Sequence, residues 1–140
     1  MNEFESLEHT ASLLRVISQT VRLEILLTIG AGEACVCHLE AAIGQRQAYI
    51  SQQLMALRKA GIVESRREGR NIYYHVRNLR ILDLIQSASK VNNENSDLSL
   101  IIGPKNLQGK CPCPKCEHVI ADLESSGFAQ PIAGGERSHD

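Results

Sequence analysis

Apolar residues recur at helical spacing along most of the first 91 positions, with one interval of strict alternation. Leu7, Leu14 and Ile17, with Leu13 and Val16 beside them, predict a first amphipathic helix over 5–17. Val21, Leu23, Ile25, Leu26 and Leu27 predict a second over 20–29, with Ser18 as its N-cap and Gly30-Ala31-Gly32 closing it. That helix is apolar nearly all round, which suits a central position or an interface. A short third helix over 35–43 ends at Gly44. Ile50, Leu54 and Leu57 set one inward stripe on a fourth helix over 46–60. Gly61 stops it, where a left-handed residue is expected. The period then changes to two. Ile62-Val63 starts a strand, Glu68-Gly69 signals a turn, and Ile72, Tyr74 and Val76 alternate on the way back. This is a hairpin over 62–68 and 71–77. Leu79, Leu82, Ile85 and Val91 then predict a fifth helix over 79–90.

These elements define a mainly α fold with a small β-hairpin. The third and fourth helices form a helix-turn-helix with the fourth as reader, and the hairpin is its wing. Residues 5–91 make up this winged helix-turn-helix domain. Composition changes at Asn92, where NNENSD is poor in core formers. We expect a linker over 92–110, containing the short apolar piece Leu98 to Ile102, then a cysteine-rich extension over 111–118. Residues 119–140 are expected to form a flexible tail.

Charge sharpens the picture. Between Arg46 and Arg80, eight basic residues face two acidic ones, a local +6 in a chain whose total is −1. A reading helix followed by a basic hairpin suits duplex DNA, one element for the major groove and one for the phosphates. Arg46, Gln47, Tyr49, Ser51, Gln52 and Gln53 occupy the first turns of the fourth helix, where base edges are read. Glutamine pairs with adenine and arginine with guanine. Arg66, Arg67, Arg70 and Asn71 at the hairpin tip are expected beside the backbone or minor groove. Taken singly, each charge fits a solvated face equally well. The combination of helix, glycine stop, hairpin and local charge favours DNA.

Composition narrows the class further. The chain is 43% hydrophobic but only 4% aromatic, with no Trp, so its core is aliphatic. No apolar run approaches the roughly 18 residues of a membrane span, and MNEFESLEHT lacks the basic and apolar regions of a signal peptide. A cytoplasmic setting is therefore expected, in which the five cysteines are reduced and metal or redox chemistry outranks disulfides. No phosphate loop, Ser/His/Asp set or paired-carboxylate site is present, and the Cys113-Pro114-Lys115-Cys116 motif lacks a βαβ context. An enzyme with a small-molecule substrate is not expected.

The cysteines fall in two groups. Cys35 and Cys37, two apart, would diverge by about 200° inside a regular helix. They can share one ion only at the helix start, where the helix N-terminus also favours thiolate. Cys111, Cys113 and Cys116, followed by His118, lie on a stretch that Pro112 and Pro114 keep out of a helix. Two arrangements remain open. The tail is an independent structural zinc knuckle, or it folds back and adds thiolates to Cys35 and Cys37, within one subunit or across a dimer. The second is preferred, because Glu40 stands where a third local thiol would complete the helix site. Three thiolates suit As(III) or Sb(III), and four suit Cd(II), Pb(II) or Zn(II). His38 is expected to be an exposed helix residue. His9 and His75, without nearby partner types, receive no role.

Four stretches resemble the ArsR/SmtB family of metal-responsive repressors. They are Arg22-Leu23-Glu24-Ile25-Leu26; Cys35-Val36-Cys37-His38-Leu39; Ile50-Ser51-Gln52-Gln53-Leu54 with Leu57 and Ala60-Gly61-Ile62-Val63; and Arg67-Glu68-Gly69-Arg70-Asn71-Ile72-Tyr73-Tyr74. The chain departs from the family in having Gln19-Thr20 for the usual Asp-Pro, Glu40 for a third local cysteine, and no histidine in 79–90. The resemblance implies a homodimer joined through its first and fifth helices, operator binding without metal, and release when a thiophilic ion binds. Two reading helices about 34 Å apart would then meet an inverted repeat. The rival readings are a thiol-redox regulator using the Cys113/Cys116 pair and a regulator with a purely structural zinc site.

Overall fold

Five helices and a three-stranded antiparallel sheet follow in the order α1 (Glu3–Ile17), α2 (Thr20–Ile29), β1 (Ala34–Cys35), α3 (Val36–Ile43), α4 (Gln47–Lys59), β2 (Val63–Glu68), β3 (Asn71–Val76) and α5 (Arg80–Asn92). They are seen in a computed structural model that describes residues 1–103. Cys111, Cys113, Cys116 and His118, with the expected segments 111–118 and 119–140, lie outside the described residues.

Every expected helix and both hairpin strands are present. α1 starts earlier than its apolar pattern, because Asn2 and Glu5 form a reciprocal capping box. Ser18 is not the N-cap of α2. It is the C-cap of α1, its hydroxyl donating to the Arg15 carbonyl, and Gln19 precedes α2 without a side-chain cap. The sheet carries a strand beyond the expected hairpin. β1 adds to the free edge of β3, giving the order β1-β3-β2. Two residues are too few for periodicity to reveal.

α2 is the centre. Ile25, Leu26 and Ile29 are fully buried, and against them pack Leu39 of α3, Ile50, Leu54 and Leu57 of α4, and Val63 and Val76 of the sheet. Burying one such side chain contributes about 1.5–3 kcal/mol, so this aliphatic cluster dominates the stability. α3 and α4 meet at Gly44, whose φ of +80° makes the turn between them. The hairpin turns at Gly69-Arg70, with Gly69 at φ +62°. By contrast, Phe4, Leu7 and Leu14 on α1 and Leu84 and Val91 on α5 are exposed. Among the described residues no helix is long and apolar enough to cross a membrane.

The first part of the expected linker packs on the fold. Leu98 and Ile101 lie against the core, and the Gln86 side chain accepts from the Leu98 amide and donates to the Ser96 carbonyl. Gly103 then donates its N–H to the Leu27 carbonyl at 2.8 Å. The chain thus returns to the end of α2, whose last residue, Ile29, is six before Cys35.

Candidate nucleic-acid interface and thiol site

α4 offers one exposed face. Ile50, Leu54 and Leu57 turn inward, leaving Arg46, Gln47, Tyr49 and Gln52 exposed and Ser51 half-buried. Glu40 of α3 accepts a hydrogen bond from the Gln47 amide at 3.1 Å. That carboxylate meets the positive end of the helix and fixes where the reading helix begins. Glu40 thus has a structural role at the position where a third local thiol was looked for.

Gln53 does not share this face. Positions 50, 53, 54 and 57 follow the i, i+3, i+4, i+7 rule, so Gln53 belongs to the inward stripe. It is 8% exposed, and its Oε1 accepts from Arg22 Nε at 2.8 Å. Arg22 Nη1 also donates to the Val16 carbonyl at 2.7 Å. Gln53, expected on the DNA-reading face, lies instead on the inner face and anchors the reading helix to α2 and the end of α1.

Arg66, though exposed, is engaged by neighbouring side chains. Its guanidinium pairs with both Glu33 oxygens at 2.7 Å and with Glu68 at 3.0 Å, and lies 5.1 Å from the centre of the Tyr73 ring. These carboxylates raise its already high pKa further. Arg66 therefore tethers the wing to the Glu33 segment while its side chain stays exposed. Arg67 and Arg70 remain exposed at the tip, with Asn71 half-buried beside them. Neither Arg46, Arg67 nor Arg70 enters an ion pair among the described residues. The local positive charge therefore survives at the reading helix and at the wing tip.

Cys35 and Cys37 converge. Cys35 has extended backbone and is both the last residue of β1 and the N-cap of α3, while Cys37 lies in the first turn. The strand-to-helix change cancels the divergence that a regular helix would impose, and the two sulfurs lie 2.7 Å apart. The Cys35 sulfur accepts from the His38 amide at 3.4 Å, as an N-cap side chain does. Among the described residues, no three His, Cys, Asp or Glu side chains form a cluster. Two thiolates fit part of a three- or four-thiolate site and need further donors.

His38 is buried, not exposed: at three residues from Cys35 and next to Leu39 it falls on the inner face of the short helix. Burial lowers its pKa, which keeps the imidazole neutral at neutral pH. His75 also has a partner after all, with Nε2 3.2 Å from a Glu64 oxygen across the β2–β3 ladder. Arg22, Glu33 and Tyr73 were not singled out from the sequence for these contacts. Arg22 and Gln53 are 31 residues apart and Glu33 and Arg66 are 33 apart, and only the fold joins them.

Comparison with known proteins places these features in context. The family model described as bacterial regulatory protein, arsR family, matches residues 20–65. The biofilm growth-associated repressor of Xylella fastidiosa strain Temecula1 is 40% identical over 77 residues, covering 55% of this chain and 68% of the relative. The cadmium resistance transcriptional regulatory protein CadC of Listeria innocua is 31% identical over 77 residues, covering 54% of this chain and 65% of the relative. The chain thus spans about two thirds of the length of the curated relatives it matches. Among solved structures, the homodimeric winged helix-turn-helix DNA-binding domain Mb0332 of Mycobacterium bovis superposes with a TM-score of 0.59 at 28% identity. That match covers 69% of this chain and 94% of the domain.

Proposed function

This chain belongs to the ArsR family of bacterial transcriptional repressors, DNA-binding regulators rather than enzymes, and from that premise we propose that it is a homodimeric, thiol-dependent metal(loid) sensor. It binds an inverted-repeat operator and leaves it when a thiophilic ion binds. The observation that carries the reading is the convergence of Cys35 and Cys37 at the start of α3, the helix whose Glu40 fixes the start of α4. Ligand binding at that point acts on the element that orients the reading helix.

Arg46, Gln47, Tyr49, Ser51 and Gln52 are assigned to the groove, and Arg67, Arg70 and Asn71 to the phosphates. The exposed apolar residues of α1 and α5 suit a dimer interface. Cys35 and Cys37 supply two thiolates, and Cys111, Cys113 and Cys116 are assigned the remaining donors. Chain reach supports that sharing within one subunit. Gly103 touches Gly30, Cys35 is five residues beyond Gly30, and Cys111 is eight beyond Gly103. At about 3.6 Å per residue those segments reach at most about 18 and 29 Å, so one chain is long enough to bridge the gap. As(III) or Sb(III) suits three of these thiolates, and Cd(II), Pb(II) or Zn(II) suits four. CadC's name supports cadmium as a candidate. Each thiol that becomes a ligand gives up its proton, so binding tightens as pH rises through the thiol range.

The test is fluorescence-anisotropy titration of the reduced protein on its own upstream inverted repeat at fixed salt. As(III), Sb(III), Cd(II), Pb(II) and Zn(II) are added separately. We expect one of them to weaken operator binding at least tenfold, and Cys35→Ser to abolish that loss while leaving ion-free binding within about threefold. Tight binding unaffected by every ion would make the cysteines structural or redox elements.

The wing makes a second, independent prediction. Arg67→Ala and Arg70→Ala are each expected to lower the slope of log affinity against log salt by about 1, with weakening on every sequence alike. Gln52→Ala is expected to relax discrimination at one base pair by about 1–3 kcal/mol. A salt slope unchanged in the Arg67→Ala/Arg70→Ala double variant would take the wing tip off the phosphates.

A further inference from the structure

Cys35 stands in a row that runs across the whole sheet. It pairs with Tyr73, and Tyr73 pairs with Arg66. Residues directly opposite in neighbouring strands share a face, so these three lie on one side. Ala34, Tyr74, Val76 and Val63 occupy the other side, against the core. The Arg66 guanidinium lies over the Tyr73 ring and grips both oxygens of Glu33, two residues before Cys35. Its remaining nitrogen reaches Glu68 at the base of the wing tip. A planar fork held on a carboxylate by two parallel bonds fixes orientation as well as distance. Beneath it Tyr73 is 1% exposed, so the middle of the row has little room to move.

We propose that the Glu33–Arg66 clasp across Tyr73 couples the thiol pair to the wing, with Arg66 as a positioning residue that sets the wing tip without touching DNA. The inference rests on the reading of Cys35 and Cys37 as a ligand-binding pair. A ligand held by both sulfurs fixes the Cys35 backbone. β1 passes that constraint to β3 through the ladder, and Glu33 passes it to Arg66 and so to Glu68, Gly69 and Arg70. Wing and reading helix then respond together, since Glu40 links the same α3 to the start of α4.

The experiment uses the full chain, reduced, with Cys111, Cys113 and Cys116 changed to Ser so that a thiol probe is confined to Cys35 and Cys37. The probe is phenylarsine oxide. Two As–S bonds form, the As–O bond is lost, and the oxygen leaves as water with the two thiol protons. The amide resonances of Glu68, Gly69 and Arg70 are followed by NMR. They are expected to shift on loading, and the shift is expected to fall at least threefold in Glu33→Gln and in Arg66→Gln while each variant still loses two titratable thiols. Glu33→Asp, which keeps the charge, is expected to restore part of the shift. Equal shifts with and without the clasp, or none in the chain that retains it, would overturn the proposal. Operator binding is measured separately on the parent chain with its five cysteines intact. A wing that shifts on loading, in a protein whose parent chain no thiophilic ion releases from the operator, would overturn the functional reading and leave the clasp standing.

Discussion

Gly30→Ala is expected to lower the free energy of unfolding by about 2–4 kcal/mol, combining backbone strain with a lost hydrogen bond. Gly30 closes α2 at φ +58° and ψ −138°, a region that glycine alone enters readily. A Cβ there would sit 2.9 Å from both the Cα and the N of Gly103. Backbone atoms cannot swing aside as a flexible side chain can. The Gly103 segment would have to lift, and its bond to the Leu27 carbonyl would go with it. Leu98 and Ile101 would then lose their hold on the core. The control is Gly44→Ala. Gly44 is also left-handed, at φ +80°, but nothing lies within 4 Å of a Cβ there. It should cost only the strain of that conformation, about 1–2 kcal/mol. Urea unfolding of both variants, with unchanged m-values, makes the comparison. Equal losses would mean that the contact between Gly30 and Gly103 contributes nothing.

The contact between Gly30 and Gly103 also marks where sequence reading stops. Helices and hairpin were legible because each is local: a stripe such as Ile50/Leu54/Leu57, a glycine stop, a turn. The packing of Leu98 to Gly103 was not, because NNENSD looks like the start of a linker and nothing local reveals that Gly103 returns to α2. The same limit hid the Glu33–Arg66 clasp, whose members are 33 residues apart. β1 was invisible because two residues carry no period.

Site residues divide along the same line. The local charge around α4 and the wing was legible, and Arg46, Gln47, Tyr49, Gln52, Arg67 and Arg70 are exposed as a DNA contact requires. Gln53 and Arg66 were assigned by their place in the first turns of the helix and at the hairpin tip, and the fold gives each a partner within the protein. Gln53 sits at a stripe position, and Arg66 lies opposite Tyr73 with carboxylates on either side. For the thiols, the spacing of Cys35 and Cys37 posed a geometric question that the sequence framed correctly. They converge because the chain changes from strand to helix between them.

Gln53 leads to the second large effect. Arg22→Leu is expected to lower the free energy of unfolding by about 2–4 kcal/mol, and Gln53→Leu by about 1–3 kcal/mol. Arg22 joins three helices: it belongs to α2, donates to Val16 near the end of α1, and donates to Gln53 of α4. Removing the guanidinium leaves the Gln53 side chain buried without its donor, and removing Gln53 leaves a half-buried charge short of an acceptor. Leaving such a group unmatched costs more than the bond contributes when made. The double variant Arg22→Leu/Gln53→Leu removes both ends and is therefore expected to fall short of the summed losses by about 1–2 kcal/mol. Strict additivity in chemical denaturation would show that the two side chains act independently. The functional consequence follows from where Gln53 sits. It is one residue from Gln52 and two from Ser51, so the bond that steadies the inward face also fixes the angle of the outward one. Operator affinity should therefore fall in Gln53→Leu even under conditions where the variant is fully folded, while Met55→Ala, on the same helix but exposed, should leave it within about twofold. A Gln53→Leu protein that is folded and binds the operator as tightly as the parent would reduce the Arg22 contact to a stabilising bond with no part in recognition.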